Sequence, residues 1–338
     1  MDRSARYGPY HGGDPLAPPV DLRDALSAIG DDVLGGASPQ RALRELLRRG
    51  SSSMRGLDKL AAQANRRKRE LLDRTDLDGT LLGKGASLFR TAEGEFTLLA
   101  ARALEACHRA GAEVVIKSGR RRAQVAEDAR LMGQTSYIFE VGTGMVVDGE
   151  LTFLTGDLQP RDGLTIHAQI AESGAPDLLL ERYPGRLELH APWHLDREVS
   201  HLFRGLVDPR EAGELLAAEG FPGLRLVDNG EISRNETSLD LPGQPHAYHL
   251  IPAAASKAGA VARHMRARGY ARDECIGVGD SREDLEVAEV VGRLFLVSNA
   301  AAGDTSAYPN VERTEAAMSE GFYEAVIRAL AEARQGVA

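Results

Sequence analysis

Two carboxylates stand one residue apart in Asp76-Leu77-Asp78-Gly79-Thr80. Alone, an acidic turn with glycine is ordinary loop chemistry. Three later segments change its meaning: Ile116-Lys117-Ser118-Gly119-Arg120, Ser256-Lys257, and Gly277-Val278-Gly279-Asp280-Ser281-Arg282-Glu283-Asp284. In that order they add a hydroxyl, a cation and further carboxylates. The set contains a nucleophile, a proton donor, ligands for phosphate oxygens and hard oxygen ligands for a metal. Such a set suits hydrolysis of a phosphomonoester through an aspartyl-phosphate.

Each residue has an expected part. Asp76 attacks phosphorus in line, and Asp78, two residues on, protonates the leaving oxygen and then activates water. Ser118 and Lys257 bind the phosphoryl oxygens, whose charge must be met in the transition state. Mg2+ is held by Asp76 and Asp280, by the backbone carbonyl of Asp78, and by Asp284 directly or from behind. The metal lets a carboxylate approach an anionic phosphate.

The elements that position these groups alternate between strand and helix from Asp76 onward. Helices are expected over 95–110, 123–132, 257–268, 284–290 and 322–334, and strands over 112–116, 137–140, 274–278 and 294–297. That alternation predicts a parallel α/β sheet covered on both faces, with functional residues at the carboxyl ends of strands. Ser118 and Asp280 each follow an apolar run, as such an arrangement requires. Ser118 follows Asp76 by little more than one strand–helix unit, whereas Lys257 comes far later. The excess, residues 150–251, is long enough to fold as an inserted α+β cap. In it Leu178-Leu179-Leu180, 186–190 and 223–227 read as strands and 208–219 as a helix. Trp193, His194, Arg197, His201 and Arg204 fall at helical spacing. Of these Trp193, Arg197, His201 and Arg204 are candidates for holding a sugar or an anion, with an ordinary amphipathic helix as the alternative.

Residues 71–149 and 252–338 then form the core. Residues 1–70 read as a helical extension with a Gly/Pro-rich, partly disordered lead and a basic run, Arg66-Arg67-Lys68-Arg69, on a solvated helix face. The chain has 41 basic and 50 acidic residues among 338, a net charge of -9, which favours neither nucleic acid nor a membrane surface. No apolar run is long enough for a membrane span, and no signal-peptide pattern opens the chain. The two cysteines, Cys107 and Cys275, lack metal or redox spacing and read as buried thiols of a reducing cytoplasm. Nothing in the sequence sets an oligomeric state.

With DLDGT, IKSGR, SK and GVGDSRED in place, the stretch from about Thr75 to the end resembles the haloacid dehalogenase (HAD) superfamily. The insertion between the second and third motifs is similar to the type-IIB cap of sugar-phosphate phosphatases, such as those for sucrose-phosphate and mannosyl-3-phosphoglycerate. The resemblance implies a Rossmann-like core, Mg2+ and a small phosphorylated metabolite, a sugar phosphate or a relative of one. Glu283 departs from the asparagine often found at its position in that subclass. Residues 7–72 look similar to the leading segment of actinobacterial proteins that carry a von Willebrand A-type domain.

The strand feeding Asp76 reads Glu70-Leu71-Leu72-Asp73-Arg74-Thr75, and charges are costly inside a central strand. A compromised strand would misplace Asp76 and leave a catalytically impaired binding or regulatory protein. A phosphoryl-transferring mutase on the same fold is a further alternative. A dehalogenase is not, because Asp78 and Asp280 have no use there.

Overall fold

The computed structural model describes residues 72–335 apart from residue 302. The helices expected before Asp76 and the basic run lie outside the described residues.

The first strand, β1 (Leu72–Asp76), is followed by α1 (Leu99–Ala110), β2 (Val114–Lys117), α2 (Arg122–Leu131), β3 (Ser136–Phe139), β4 (Gly144–Val147) and β5 (Glu150–Phe153). β2 is buried throughout; Val114, Val115 and Ile116 suit a strand covered on both faces. α1 ends at Gly111, whose φ of 71° is the left-handed cap that glycine adopts without strain.

In the insertion lie α3 (Ile166–Glu172), α4 (Ala175–Arg182), β6 (Leu187–Leu189), β7 (His201–Gly205), α5 (Pro209–Ala218), β8 (Leu224–Glu231) and β9 (His246–Pro252). The chain closes with α6 (Lys257–Arg268), β10 (Cys275–Gly279), α7 (Arg282–Leu285), β11 (Arg293–Leu296), β12 (Val311–Arg313) and α8 (Met318–Gln335).

Eight strands form one sheet in the order β12-β11-β10-β1-β2-β3-β4-β5, parallel from β12 to β3 and closed by the antiparallel β4 and β5. One apolar layer gathers Leu77, Ile116, Phe139, Val278 and Phe322; the other gathers Val115, Ile138, Val261, Leu285 and Leu294. The expected α/β fold, with a mostly parallel Rossmann-like sheet, is what forms.

The segment with Asp73 and Arg74 is a full strand at the centre of that sheet. It pairs in parallel with β10 from Leu72↔Cys275 to Thr75↔Val278, and with β2 from Asp73↔Val114 to Asp76↔Lys117. Regular pairing on both sides makes it a proper first strand and brings Asp76 level with Lys117.

A second sheet, β6-β7-β9-β8, is antiparallel throughout. The helices of the insertion bury one face of it through Ile166, Ile170, Leu179, Phe203, Leu216, Leu226 and Leu250. Two expectations fail here. Leu178-Leu179-Leu180 lies in α4, which Pro176 and Asp177 open in its first turn; an apolar triplet has no period to tell helix from strand. The residues from Trp193 to Arg204 form no helix: they are a loop that runs into β7. In the large sheet, the helix expected over 284–290 is α7 followed by a 3-10 turn over Glu286–Glu289.

Candidate active site

Asp76 ends β1, and the next strand on one side delivers Asp280 immediately after Gly279, the last residue of β10. Parallel strands bring their carboxyl ends to one edge, so both carboxylates emerge there. The N-terminus of α7 follows at once. Ser281 caps it, accepting from the Asp284 amide at 3.3 Å, and this turn folds Asp284 back beneath the edge. Among the described residues, Asp76, Asp280 and Asp284 are the one acidic trio whose oxygens converge, all within 4.8 Å of one another.

Two ammonium groups balance the trio. Lys257, the first residue of α6, donates to Asp76 Oδ1 at 2.8 Å and to Asp284 Oδ1 at 3.2 Å. Lys117 ends β2, donates to Asp284 Oδ1 at 2.5 Å and to the Val278 carbonyl at 3.1 Å, and stands 4.0 Å from Asp76 Oδ1. The second oxygen of Asp284 accepts from the Ser281 hydroxyl at 2.7 Å and from the Ser281 and Asp280 amides. Asp284 is therefore fully engaged, whereas the Asp280 side chain, among the described residues, accepts only from Thr80, at 3.2 Å.

Protonation follows this layout. Burial raises the carboxyl of Asp76, and Asp284 adds to the effect; Lys257 and Lys117 oppose it, and the result is about 6. Burial, then Asp76 and Asp284, push Asp280 well above the usual carboxylate range. Burial would raise Asp284 too, but Lys117 and Lys257 outweigh it and hold the group low. For Lys257, burial favours the neutral amine, yet Asp284 and Asp76 raise its pKa and keep it charged. Glu283 is pushed up by burial to about 7.

The trio is a fitting place for a divalent cation. Three carboxylates, two buried and that of Asp280 partly so, face two ammonium groups, and Asp280 has little else to offset its charge. Gly79, at φ 75°, lets the backbone pass against Asp280; a Cβ there would collide with the carboxylate. Hard oxygen donors of this kind suit Mg2+.

The remaining expected residues divide. Ser118 follows Lys117 and is buried; its hydroxyl accepts from the Arg120 amide at 3.1 Å. Asp78 is half-exposed, and Arg120 grips both of its oxygens at 2.7 and 2.5 Å. The four cap candidates do not share a surface. Trp193 is exposed, Arg197 is buried, His201 is buried against His167 with ring centroids 3.8 Å apart, and Arg204 pairs with Glu188 at 2.6 Å.

Sequence reasoning gave no role to Lys117, Thr80, Arg120, Glu140 or Asn229. For Lys117 a clue existed: a lysine ending the apolar run Val114-Val115-Ile116 must find carboxylates if the strand is buried. Asn229, on β8, is brought to the site by the second sheet. A Cβ on Gly119 would sit 2.7 Å from its Nδ2, so the asparagine covers the loop that carries Ser118.

No family model matches the chain. It is 68% identical over 79 residues to an uncharacterized protein of Mycobacterium tuberculosis, a match that takes in 23% of this chain and 12% of that protein. It is 31% identical over 140 residues to a phosphoglycolate phosphatase of Methanoculleus marisnigri, 41% of this chain and 51% of the relative. The chain thus spans an eighth to a half of the length of these relatives. Among solved structures, a sucrose-phosphatase from Synechocystis aligns over 77% of this chain and 98% of its own, with a TM-score of 0.52 and 16% identity. A phosphatase of the haloalkanoate superfamily from Bacteroides thetaiotaomicron aligns over 77% and 96%, with a TM-score of 0.54 and 15% identity. A haloacid dehalogenase-like hydrolase from B. subtilis aligns over 76% and 99%, with a TM-score of 0.50 and 18% identity. In fold, the chain is similar to these haloacid dehalogenase-like hydrolases.

Proposed function

We propose that this protein is a Mg2+-dependent phosphatase that hydrolyses a small phosphomonoester through an aspartyl-phosphate on Asp76. The observation that carries the reading is the convergence of Asp76, Asp280 and Asp284 with Lys257 at the carboxyl edge of the sheet. Asp76 and Asp280 would hold the metal, with Asp284 behind them. When bound, the ion supplies positive charge that lets an anionic phosphoryl group approach Asp76.

The chain's own groups do the rest. Lys257 fixes Asp76 Oδ1 at 2.8 Å, which leaves Oδ2 to form the new bond to phosphorus. The ester P–O bond breaks as Asp78 gives its proton to the leaving oxygen. Water then yields a proton to Asp78 and attacks phosphorus; the bond to Asp76 breaks and inorganic phosphate departs. To act as acid, Asp78 must be drawn off Arg120, and an arriving anion competes for that guanidinium. Ser118, on the loop after β2, meets the phosphoryl oxygens.

A sugar phosphate, or a metabolite of similar size, is the substrate class we favour. The relatives named for sucrose and phosphoglycolate support a small substrate. In this reading the segment between β5 and α6 acts as the cap, shorter than the expected 150–251 because residues 150–153 pair with β4 in the large sheet, and β8 brings the amide of Asn229 over the phosphate loop, where it can meet a hydroxyl. A cytoplasmic setting fits the two buried cysteines; no described helix is long and apolar enough to cross a membrane.

The test is hydrolysis of p-nitrophenyl phosphate with and without Mg2+, comparing the native chain with Asp76→Asn. Metal-dependent turnover that disappears in the variant supports the nucleophile and leads to a panel of sugar phosphates. Equal turnover in both proteins would overturn the assignment.

A further inference from the structure

Residues 193–200 lie across the loop that follows β2, and every residue from Gly119 to Arg122 except Arg120 bonds to them. Arg197 Nη1 donates to the Gly119 carbonyl at 3.1 Å. Arg121 Nη1 donates to the Leu195 carbonyl at 3.3 Å and to Asp196 at 2.6 Å. Arg122 pairs with Glu198 at 2.7 Å. The Arg121 and Arg122 pairs are partly exposed and weak. The Arg197 bond is buried.

Beneath this strap lies Glu140, fully buried at the carboxyl end of β3. Its carboxylate accepts the amides of Glu198 at 3.0 Å, Val199 at 3.2 Å and Ser200 at 2.6 Å, and the Ser200 hydroxyl at 2.8 Å. Bonds to an ionised acceptor are the strong ones. The same Ser200 oxygen accepts from Arg197 at 3.1 Å. On its backbone side, the Glu140 amide donates to the Arg120 carbonyl at 3.0 Å, and the Val141 amide to the Ser118 carbonyl at 3.1 Å. All three carbonyls of the 118–120 loop are therefore held, two by the Glu140 turn and one by Arg197.

The turn is strained. Glu140 and Val141 have φ of 45° and 59°, a left-handed conformation that a β-branched residue seldom adopts. A Cβ at the following Gly142 would collide with the backbone of Ser256 and Lys257, so the turn also packs on the residue that delivers Lys257. Backbone strain of this kind persists only where the surroundings enforce it.

We propose that Arg197 and Glu140 are positioning residues that tie the seating of the second sheet to the shape of the 118–120 loop, so that this strap sets the affinity for phosphate. The proposal rests on the phosphatase reading. Neither residue touches the reacting atoms: Glu140 shapes the strap, and Arg197 carries that shape to the Gly119 carbonyl.

The test uses the full chain with Arg197→Met, Arg197→Lys, Glu140→Gln and Ser200→Ala, and with Arg186→Met as a control that loses an exposed bond within the insertion, to the Leu206 carbonyl. Three quantities are read: the Kd for inorganic phosphate with Mg2+ present, the split between KM and kcat, and hydrogen exchange of residues 118–122. Losing one charged hydrogen bond should weaken phosphate binding about tenfold in Arg197→Met, with faster exchange of the loop. Arg197→Lys should recover part of the loss, and Arg186→Met should match the native chain. Native phosphate affinity and native exchange in Arg197→Met, while the native chain binds phosphate and turns over, overturn this proposal alone. A native chain that neither binds phosphate nor hydrolyses a phosphomonoester overturns the phosphatase reading and this proposal with it.

Discussion

The ammonium of Lys117 and the carboxylate of Asp284 stand 2.5 Å apart, and both side chains are closed off from solvent. Lys117 reaches from β2 past β1 to the Val278 carbonyl on β10, so one side chain links three neighbouring strands. Replacing it with methionine leaves a buried carboxylate with Lys257 as its remaining cation. We expect Lys117→Met to lose about 3 kcal/mol of stability, at the lower end of the cost of breaking a buried pair. Urea unfolding measures it. Combining it with Asp284→Asn should cost less than the two single losses added together.

Metal should stabilise the native chain. A ligand at a hundred times its Kd contributes about 2.7 kcal/mol, visible as a rise in melting temperature that EDTA reverses. Asp280→Asn should abolish that rise, because Asp280 has few other partners. Gly79→Ala should weaken it as well, by pressing a methyl group on the same carboxylate. A metal-dependent rise of native size in Asp280→Asn would remove Asp280 from the ligand set.

The role given to Asp78 depends on the leaving group. An alkyl alcohol needs a proton to depart, and general acid catalysis contributes about a hundred- to ten-thousand-fold. p-Nitrophenolate leaves readily without one. Asp78→Asn should thus depress kcat far more on a sugar phosphate than on p-nitrophenyl phosphate. Equal losses on the two substrates would point to a structural part for Asp78, through its pair with Arg120.

The stacked histidines give the protein an acid limit. Burial, and then His167 beside it, lower His201 from 6.5 to about 4. The unfolded chain takes up that proton first. The contribution is complete above pH 6.5 and is lost as pH falls from there through about 4. Unfolding free energy should fall over this window, and His201→Gln should flatten the slope. An unchanged slope in the variant would assign the effect to other groups.

Much of this molecule can be read from its residues, because the motifs sit where elements change. α6 begins at Lys257 as expected, since Ser256 is a natural cap and Gly269 a natural stop. Asp76, Asp280 and Asp284 meet because parallel strands end together, a consequence of alternation alone. Whether Asp73 and Arg74 interrupt their strand is not legible locally, because pairing on two sides depends on β2 and β10, which lie far off in sequence. The strap was misread because Arg197, His201 and Arg204 mimic helical spacing while belonging to a loop and a strand. Glu140 gave no warning, since its partners are backbone amides that no motif encodes.

The second sheet leaves the first after β5 and returns through β9, which ends at Pro252, only a few residues before Lys257. Exchange of this insertion among related proteins is therefore constrained. A transplanted segment that ends cleanly at both joints would still need a Ser200 hydroxyl and three amides shaped for Glu140, and an arginine of the right reach for Gly119. Chimaeras that ignore these contacts should fold in both parts and yet handle phosphate poorly. Recombination would then favour taking the insertion and the 118–142 region together, as a unit of inheritance larger than the cap itself.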